Sequence, residues 1–263
     1  YGFVNTGIDY YTHERYGVPS MYRNNEPTVE DKGTYCTYLF AREAKRFLNE
    51  HNERPFFLYV PFNAPHSASN LDPKIRSAPQ GPDEYKRRYP HLKTEYRETT
   101  AYGKPAMRHT RDSRRLEYLA SVTCMDDQIG ELLDLLDKHD IADNTIVIFF
   151  SDNGGGGGAD NGPLRGGKGS MHEGGIRVPC ILRWPGRIKA GRTSDAFLTA
   201  LEIFPTLCKA AGIDTRKAMP DVTLDGFDMM PVLAEGALSP QNDRVSKRRA
   251  VQASGVDVST WIR

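Results

Sequence analysis

Asp152 and Asn153 stand side by side, directly after the apolar run Thr145-Ile-Val-Ile-Phe-Phe-Ser151. A short run rich in β-branched and aromatic residues reads as a buried strand. A carboxylate and a carboxamide therefore mark the point where that strand leaves its sheet, the side on which open α/β sheets bind ligands. Both side chains offer hard oxygen atoms, which suit Ca2+ or Mg2+. Asp-Asn-Gly is also ordinary turn composition, and the tripeptide alone leaves both readings open. The next stretch, Gly154 to Gly175, reads GGGGGADNGPLRGGKGSMHEGG and carries Arg165, Lys168, His172 and Glu173 among its glycines. A glycine-rich loop lets the backbone approach an anion closely, and a lysine meets that anion as a point charge. Oxygen ligands followed by a cationic glycine loop suit a phosphate or sulfate ester. His66 closes Pro61-Phe-Asn-Ala-Pro-His66, after a second strand-like run, Phe56-Phe-Leu-Tyr-Val60. Pro65 restrains the backbone before it, which suits a positioned imidazole as well as a solvated loop residue.

Helices must hold these strand ends in place. Thr34 to His51 repeats Cys36, Phe40, Ala44 and Phe47 at helical spacing, with Arg42, Lys45 and Arg46 turned away. Asp112 to His139 is the second helix, with Asp112 or Ser113 as its cap. Its apolar stripe runs through Leu116, Leu119, Ala120, Val122, Thr123, Ile129, Leu132, Leu133 and Leu136. Asp126 and Asp127 are adjacent and diverge by roughly 100°, so solvated or locally hydrogen-bonded roles suit them better than shared metal ligation. A third helix spans Phe197 to Ala211, ended by Gly212. Residues 1–31 read as an aperiodic surface excursion. Ser67 to Arg111 reads as a long polar insertion, solvated or serving as a basic lip for an extended anion. Strands alternating with helices argue for an α/β sheet covered by helices.

With 263 residues the chain is long enough for one large domain or two small ones. Its 38% hydrophobic and 26% charged content is ordinary for a globular protein. A net charge of +1 gives no whole-protein field to recruit nucleic acid. No apolar run approaches the roughly 20 residues of a membrane span, and no signal peptide is visible ahead of Tyr1-Gly-Phe-Val4. Cys36, Cys124, Cys180 and Cys208 are far apart in apolar surroundings and read as buried free thiols rather than a zinc site.

Five segments together resemble the sulfatases of the alkaline-phosphatase-like superfamily, and within them the arylsulfatase B-like branch. They are Asp9-Tyr-Tyr-Thr-His-Glu14, Phe56 to His66, Met125-Asp-Asp-Gln-Ile-Gly130, Phe150-Ser-Asp-Asn-Gly-Gly155, and Pro163-Leu-Arg-Gly-Gly-Lys168 through Glu173-Gly-Gly-Ile-Arg177. The resemblance covers most of Tyr1 to Leu233. It implies an alkaline-phosphatase-like mixed α/β sheet flanked by helices, incomplete at both ends. Residues 1–236 would be the C-terminal part of the catalytic domain, and 237–263 the start of a truncated subdomain. It further implies that Asp152 and Asn153 are calcium ligands, with Mg2+ as the other candidate ion. Lys168 would hold a sulfate oxygen and His66 would lie near the leaving-group oxygen. Arg165 and His172 would contact substrate. The implied activity is sulfuric ester hydrolysis of a sulfated carbohydrate or aryl sulfate, in a secreted, periplasmic or lysosomal setting.

The family's nucleophile is a formylglycine made from Cys or Ser within Cys/Ser-x-Pro-x-Arg. No residue of this chain stands in that motif. Ser77-Ala-Pro-Gln-Gly81 comes nearest but lacks the arginine. The nucleophile is therefore expected in a segment preceding Tyr1, and the chain alone is expected to be inactive. Two other readings keep the same residues: a phosphodiesterase or phosphonate hydrolase of the superfamily, and a non-catalytic binder of sulfated polysaccharide.

Overall fold

The structure, a computed structural model, describes residues 1–5 and 7–241. They divide into two compact units: Tyr1–Ala142 with Gly155–Pro163, and Asp143–Gly154 with the described residues from Leu164 onward. The subdomain expected over 237–263 lies, from residue 242, outside the described residues.

In the first unit, short strands open the chain: β1 (Gly2–Phe3), β2 (Glu14–Arg15), β3 (Val18–Pro19), β4 (Met21–Arg23) and β5 (Glu26–Pro27). β4 lies between β1 and β5 in an antiparallel sheet, and β2 pairs with β3. This corrects the expectation of a surface excursion, because Ile8 and Tyr10 are fully buried. Buried Asp9 makes this possible: one oxygen accepts the Tyr11 and Thr12 N–H groups at 3.0 and 2.8 Å, and the other accepts from Asn70 at 2.9 Å. A buried carboxylate is tolerated only when it is hydrogen-bonded in this way.

Helix α1 (Cys36–His51) buries Cys36, Leu39, Phe40, Ala44 and Leu48, the i, i+3, i+4 stripe of an amphipathic helix. The expected strand at Phe56–Val60 forms no regular element and has no ladder partner among the described residues. Phe57 and Tyr59 are 75% and 72% exposed. Composition supplies β propensity, whereas a ladder also needs a neighbour for its backbone groups.

Ser67 to Arg111 is no solvated loop. It folds as one-turn helices α2 (Pro73–Arg76) and α3 (Asp83–Lys86), followed by the antiparallel hairpin of β6 (Tyr96–Ala101) and β7 (Lys104–His109). Asp72 caps α2, its carboxylate accepting the Lys74 N–H at 2.9 Å.

Helix α4 (Arg111–Lys138) packs against α1. Its cap is Thr110, which accepts the Ser113 N–H at 3.3 Å, rather than Asp112 or Ser113. The best-buried face also differs from the expected leucine stripe. It keeps Leu116, Ala120 and Leu136 of that stripe but adds Ser113, Glu117, Ser121, Cys124, Met125 and Gln128, while Leu119, Val122, Ile129 and Leu133 are half-buried. Glu117 can be buried because it accepts the Gly81 N–H at 2.7 Å and pairs with Lys86 at 2.7 Å. Asp127 pairs with Arg88 at 2.7 Å, in line with a non-ligand role.

Buried His109 shares a 2.6 Å hydrogen bond with Ser113 Oγ. Burial, reinforced by the charges of Lys86, Arg114 and Lys74, pushes its imidazole down from 6.5 to about 4. The unfolded chain therefore takes up this proton first. The stability contribution is complete above pH ~6.5 and is lost as pH falls toward ~4. By pH 5 the loss is about 2 kcal/mol. Between pH 7.5 and 5, the wild-type chain is expected to lose about 2 kcal/mol more unfolding free energy than His109→Gln. Denaturant melts at the two pH values check this; parallel losses in both proteins would refute it.

In the second unit, β8 (Val147–Phe150) is followed by the one-turn helix α5 (Glu173–Ile176) and by β9 (Cys180–Arg183). β8 and β9 pair antiparallel, Val147 opposite Arg183 and Phe150 opposite Cys180. The expected buried central strand is, among the described residues, one half of this two-stranded ribbon, and Phe150 is partly exposed. The same position corrects the reading of the thiols. Cys36 and Cys124 are buried, Cys208 is half-buried, and Cys180, at the ribbon end, is exposed; all four are free. The helix expected over 197–211 is a 3-10 turn at Ala200–Glu202 followed by α6 (Ile203–Ala210). A capping box of Thr199 and Glu202 starts it. Pro205 lies in the first turn of α6, where its missing N–H costs nothing. Gly212 ends it at φ +75°, and α7 (Thr215–Ala218) follows. Among the described residues, no helix is long and apolar enough to cross a membrane.

Candidate active site

The end of β8 is held by backbone contacts that only glycine permits. Buried Gly154 donates its N–H to the Gly175 carbonyl at 2.8 Å. A Cβ on Gly154 would lie 1.9 Å from the Gly174 carbonyl oxygen. Gly174 in turn donates to the Arg165 carbonyl at 2.8 Å, and Gly175 to the His172 carbonyl at 2.8 Å. A Cβ on Gly174 would meet the Gly166 carbonyl oxygen at 2.3 Å, and one on Gly175 would meet the Ser170 carbonyl oxygen at 2.2 Å. These three glycines serve contact between backbone segments. Gly166 and Gly169, at φ +84° and +86°, supply the left-handed turns on either side of Lys168.

These ties bring the backbone after β8 against the two ends of the loop that carries Lys168. Asp152 and Asn153 sit next to the Gly154 tie, and the loop it anchors presents Arg165, Lys168 and His172, all exposed. Ser151 Oγ donates to the Asn153 carbonyl at 3.0 Å and tightens the turn between them. The side chains of Asp152 and Asn153 enter no hydrogen bond or ion pair among the described residues. They are oxygen donors with no internal partner. Two such donors fit part of a Ca2+ shell, which takes six to eight oxygens. Among the described residues, no group of three His, Cys, Asp or Glu side chains could hold a metal. The pair therefore fits the ion as two of its ligands and leaves the rest of the shell to other groups.

His66 belongs to the first unit, whereas Asp152, Asn153, Arg165, Lys168 and His172 belong to the second. The His66 backbone is fixed from both sides: its N–H donates to the Asn63 carbonyl at 2.8 Å, and Tyr10 Oη donates to its carbonyl at 2.7 Å. Buried Asn63 is held in turn by two bonds to the Ile8 backbone, each 3.2 Å. The imidazole Nδ1 lies 2.8 Å from the Ser67 carbonyl. A carbonyl only accepts, so Nδ1 carries the proton and Nε2 is the atom left to give or take one. Gly7, at φ +57°, makes room for this ring, since a Cβ there would lie 2.5 Å from Nδ1. Asn63 lies inside the motif that flagged His66 and could have been suspected. Gly7 and Tyr10 lie more than fifty residues away, and no local pattern links them to it.

The sulfatase family profile matches residues 1–213. Arylsulfatase J of Mus musculus is 29% identical over 244 residues, covering 89% of this chain and 36% of its own length. N-acetylgalactosamine-6-sulfatase of Canis lupus familiaris is 34% identical over 211 residues, covering 77% and 33%. The crystal structure of Ps i-CgsB is similar with a TM-score of 0.72 at 29% identity, covering 90% of this chain and 50% of that one. The chain thus spans about a third of the length of these curated relatives. Its mixed α/β architecture is that of solved sulfatases with the alkaline-phosphatase-like fold. On a family match that covers most of its length, the chain belongs to the sulfatase family.

Proposed function

We propose that the polypeptide carrying this chain is a sulfuric ester hydrolase acting on sulfated carbohydrates or aryl sulfates. The observation that supports this reading is the Gly154–Gly175 backbone tie, which fixes the loop carrying Lys168 to the turn that carries Asp152 and Asn153. Lys168 faces solvent on that loop and supplies a fixed positive charge to a sulfate oxygen. Such a charge counts most where negative charge grows during bond cleavage. Arg165 and His172 flank it and contact the rest of the ester. As imidazolium, with Nδ1–H held by the Ser67 carbonyl, His66 would give its second proton from Nε2 to the departing alkoxide and return to the neutral ring. Asp152 and Asn153 would ligate Ca2+, or Mg2+, which when bound supplies Lewis-acid stabilisation of the sulfate. The nucleophile, a formylglycine, is assigned to another part of the longer polypeptide, since no Cys or Ser here stands in x-Pro-x-Arg. Residues 1–263 alone are accordingly inactive.

Sulfated carbohydrate is the favoured substrate class. It is the class in the name of the N-acetylgalactosamine-6-sulfatase relative, and Ps i-CgsB has a solved complex with k-i-k-neocarrahexaose. A secreted, periplasmic or lysosomal-type location fits such substrates. The test compares an aryl sulfate with the matching aryl phosphodiester on the complete polypeptide and on residues 1–263. Preferential turnover of the sulfate by the complete polypeptide, and none by residues 1–263, is expected. Faster turnover of the phosphodiester would move the chemistry to phosphorus.

A further inference from the structure

We propose that the groove between Leu71–Lys74 and the β6–β7 hairpin is a binding subsite for an anionic sugar unit of a sulfated glycan chain. This rests on the hydrolase reading above and extends it from one ester to an extended polyanion.

Four observations converge on this groove. First, positive charge is concentrated in the segment that supplies both walls of the groove. Ser67 to Arg111 holds ten Lys and Arg against five Asp and Glu, in a chain whose totals are 35 and 34. Second, the two groove-lining cations, Lys74 and Lys104, and three arginines of the same segment outside the lining are not neutralised within the protein. Lys86 and Arg88, further along, pair with Glu117 and Asp127. Lys74, Arg76, Arg97, Lys104 and Arg108 enter no ion pair among the described residues. The hairpin register sets Arg97 directly opposite Arg108, and strand alternation puts Lys104 on the same face. Like charges opposite one another are destabilising, and the buried Nε of Arg108 has no acceptor. An anion from outside would relieve the repulsion.

Third, aromatic rings sit among these cations. Lys74 Nζ lies 4.3 Å from the Tyr96 ring centroid, and the Arg76 guanidinium 4.8 Å from that of Tyr102, whose hydroxyl it also contacts. Fourth, the hairpin turns through Tyr102 and Gly103 with φ +52° and +73°. Two-residue turns of this kind favour Asn or Gly at their first position, and a bulky ring there is an outlier. Tyr102 is nevertheless 80% exposed, so packing does not account for the strain. Backbone outliers of this sort cluster at binding sites.

The groove has a volume of about 550 Å³ and is lined by Leu71, Asp72, Lys74, Tyr102, Lys104 and Met107, the Asp72 carboxylate being engaged by the Lys74 N–H. That suits one pyranose ring with its substituents. The apolar face of the sugar lies against Tyr102, and its sulfate or carboxylate meets the Lys and Arg donors through charge-assisted hydrogen bonds. Tight coupling to salt concentration follows from the number of unpaired cations.

The test is calorimetric binding of a carrageenan hexasaccharide, and of the same oligosaccharide after desulfation, to the complete polypeptide at two salt concentrations. Lys74→Gln/Lys104→Gln is expected to weaken the sulfated ligand at least about tenfold, and Tyr102→Ala by about fivefold. The desulfated ligand should bind weakly and equally to all variants. Far-ultraviolet circular dichroism checks that each variant is folded. Turnover of a small aryl sulfate should remain within about twofold, because a monosulfate has no further sugar unit to place in the groove. Unchanged hexasaccharide affinity in the double variant, with normal aryl-sulfate turnover, overturns the subsite and leaves the hydrolase standing. Absent turnover with hairpin-dependent binding of the hexasaccharide overturns the hydrolase and supports the subsite. Competition by duplex DNA at equal affinity overturns the assignment to carbohydrate.

Discussion

Replacing Lys168 by alanine in the complete polypeptide is expected to lower kcat about 10²–10³-fold, equivalent to about 3–4 kcal/mol of lost transition-state stabilisation. The side chain is exposed on a loop whose conformation is set by backbone contacts at Gly154, Gly174 and Gly175. Its removal leaves those contacts intact. The effect on stability should therefore stay within about 0.5 kcal/mol, the usual range for a surface substitution. The two readouts separate the roles cleanly. A group that helps only to bind substrate would raise KM and leave kcat unchanged, whereas one that meets growing negative charge lowers kcat. Lys168→Arg keeps the charge but replaces a point ammonium with a planar fork, so it should recover only part of the loss. Steady-state kinetics with thermal melts on the same preparations decide the matter. Wild-type turnover in Lys168→Ala would remove this residue from the chemistry.

Gly154→Ala should have the second large effect, this time on structure. Its added methyl would meet the Gly174 carbonyl oxygen at 1.9 Å, the Gly174 carbonyl carbon at 2.7 Å and the Gly175 Cα at 2.8 Å. All three atoms are backbone, so no rotamer change relieves the clash. Overpacking a tight site usually costs about 1–3 kcal/mol, and a backbone clash belongs at the upper end. Either the 2.8 Å bond from Gly154 to Gly175 breaks or the loop carrying Lys168 shifts; both outcomes also remove activity. Gly130→Ala is the control of opposite sign. Gly130 lies inside α4 with nothing within 4 Å of its added Cβ, so alanine should stabilise the chain by about 0.5–1 kcal/mol through helix propensity. Unfolding free energies of the two variants check the contrast. A Gly154→Ala protein as stable as wild type would show that the tie is not required.

Helices α1 and α4 were legible in the sequence because an amphipathic helix writes its burial into a local spacing. The order of Asp-Asn-Gly, Leu-Arg-Gly-Gly-Lys and Glu-Gly-Gly likewise sufficed for the family, since chemically committed residues recur in a set order along the chain. Features that join distant residues left no such trace. Gly154 meets Gly174 and Gly175 twenty residues on, and Gly7 makes room for His66 from fifty-nine residues away; a glycine in sequence does not say what its missing Cβ would strike. The buried face of α4 escaped for a related reason. Periodicity assigns leucines to the core, but Glu117 is buried because a lysine and a backbone N–H thirty-odd residues upstream meet its carboxylate. The hairpin in the polar stretch, its opposed arginines and the strained Tyr102 depend on strand register, which is settled only when two segments pair. Local spacing encodes which face of an element is apolar, and the folded chain alone decides which partner each polar group meets.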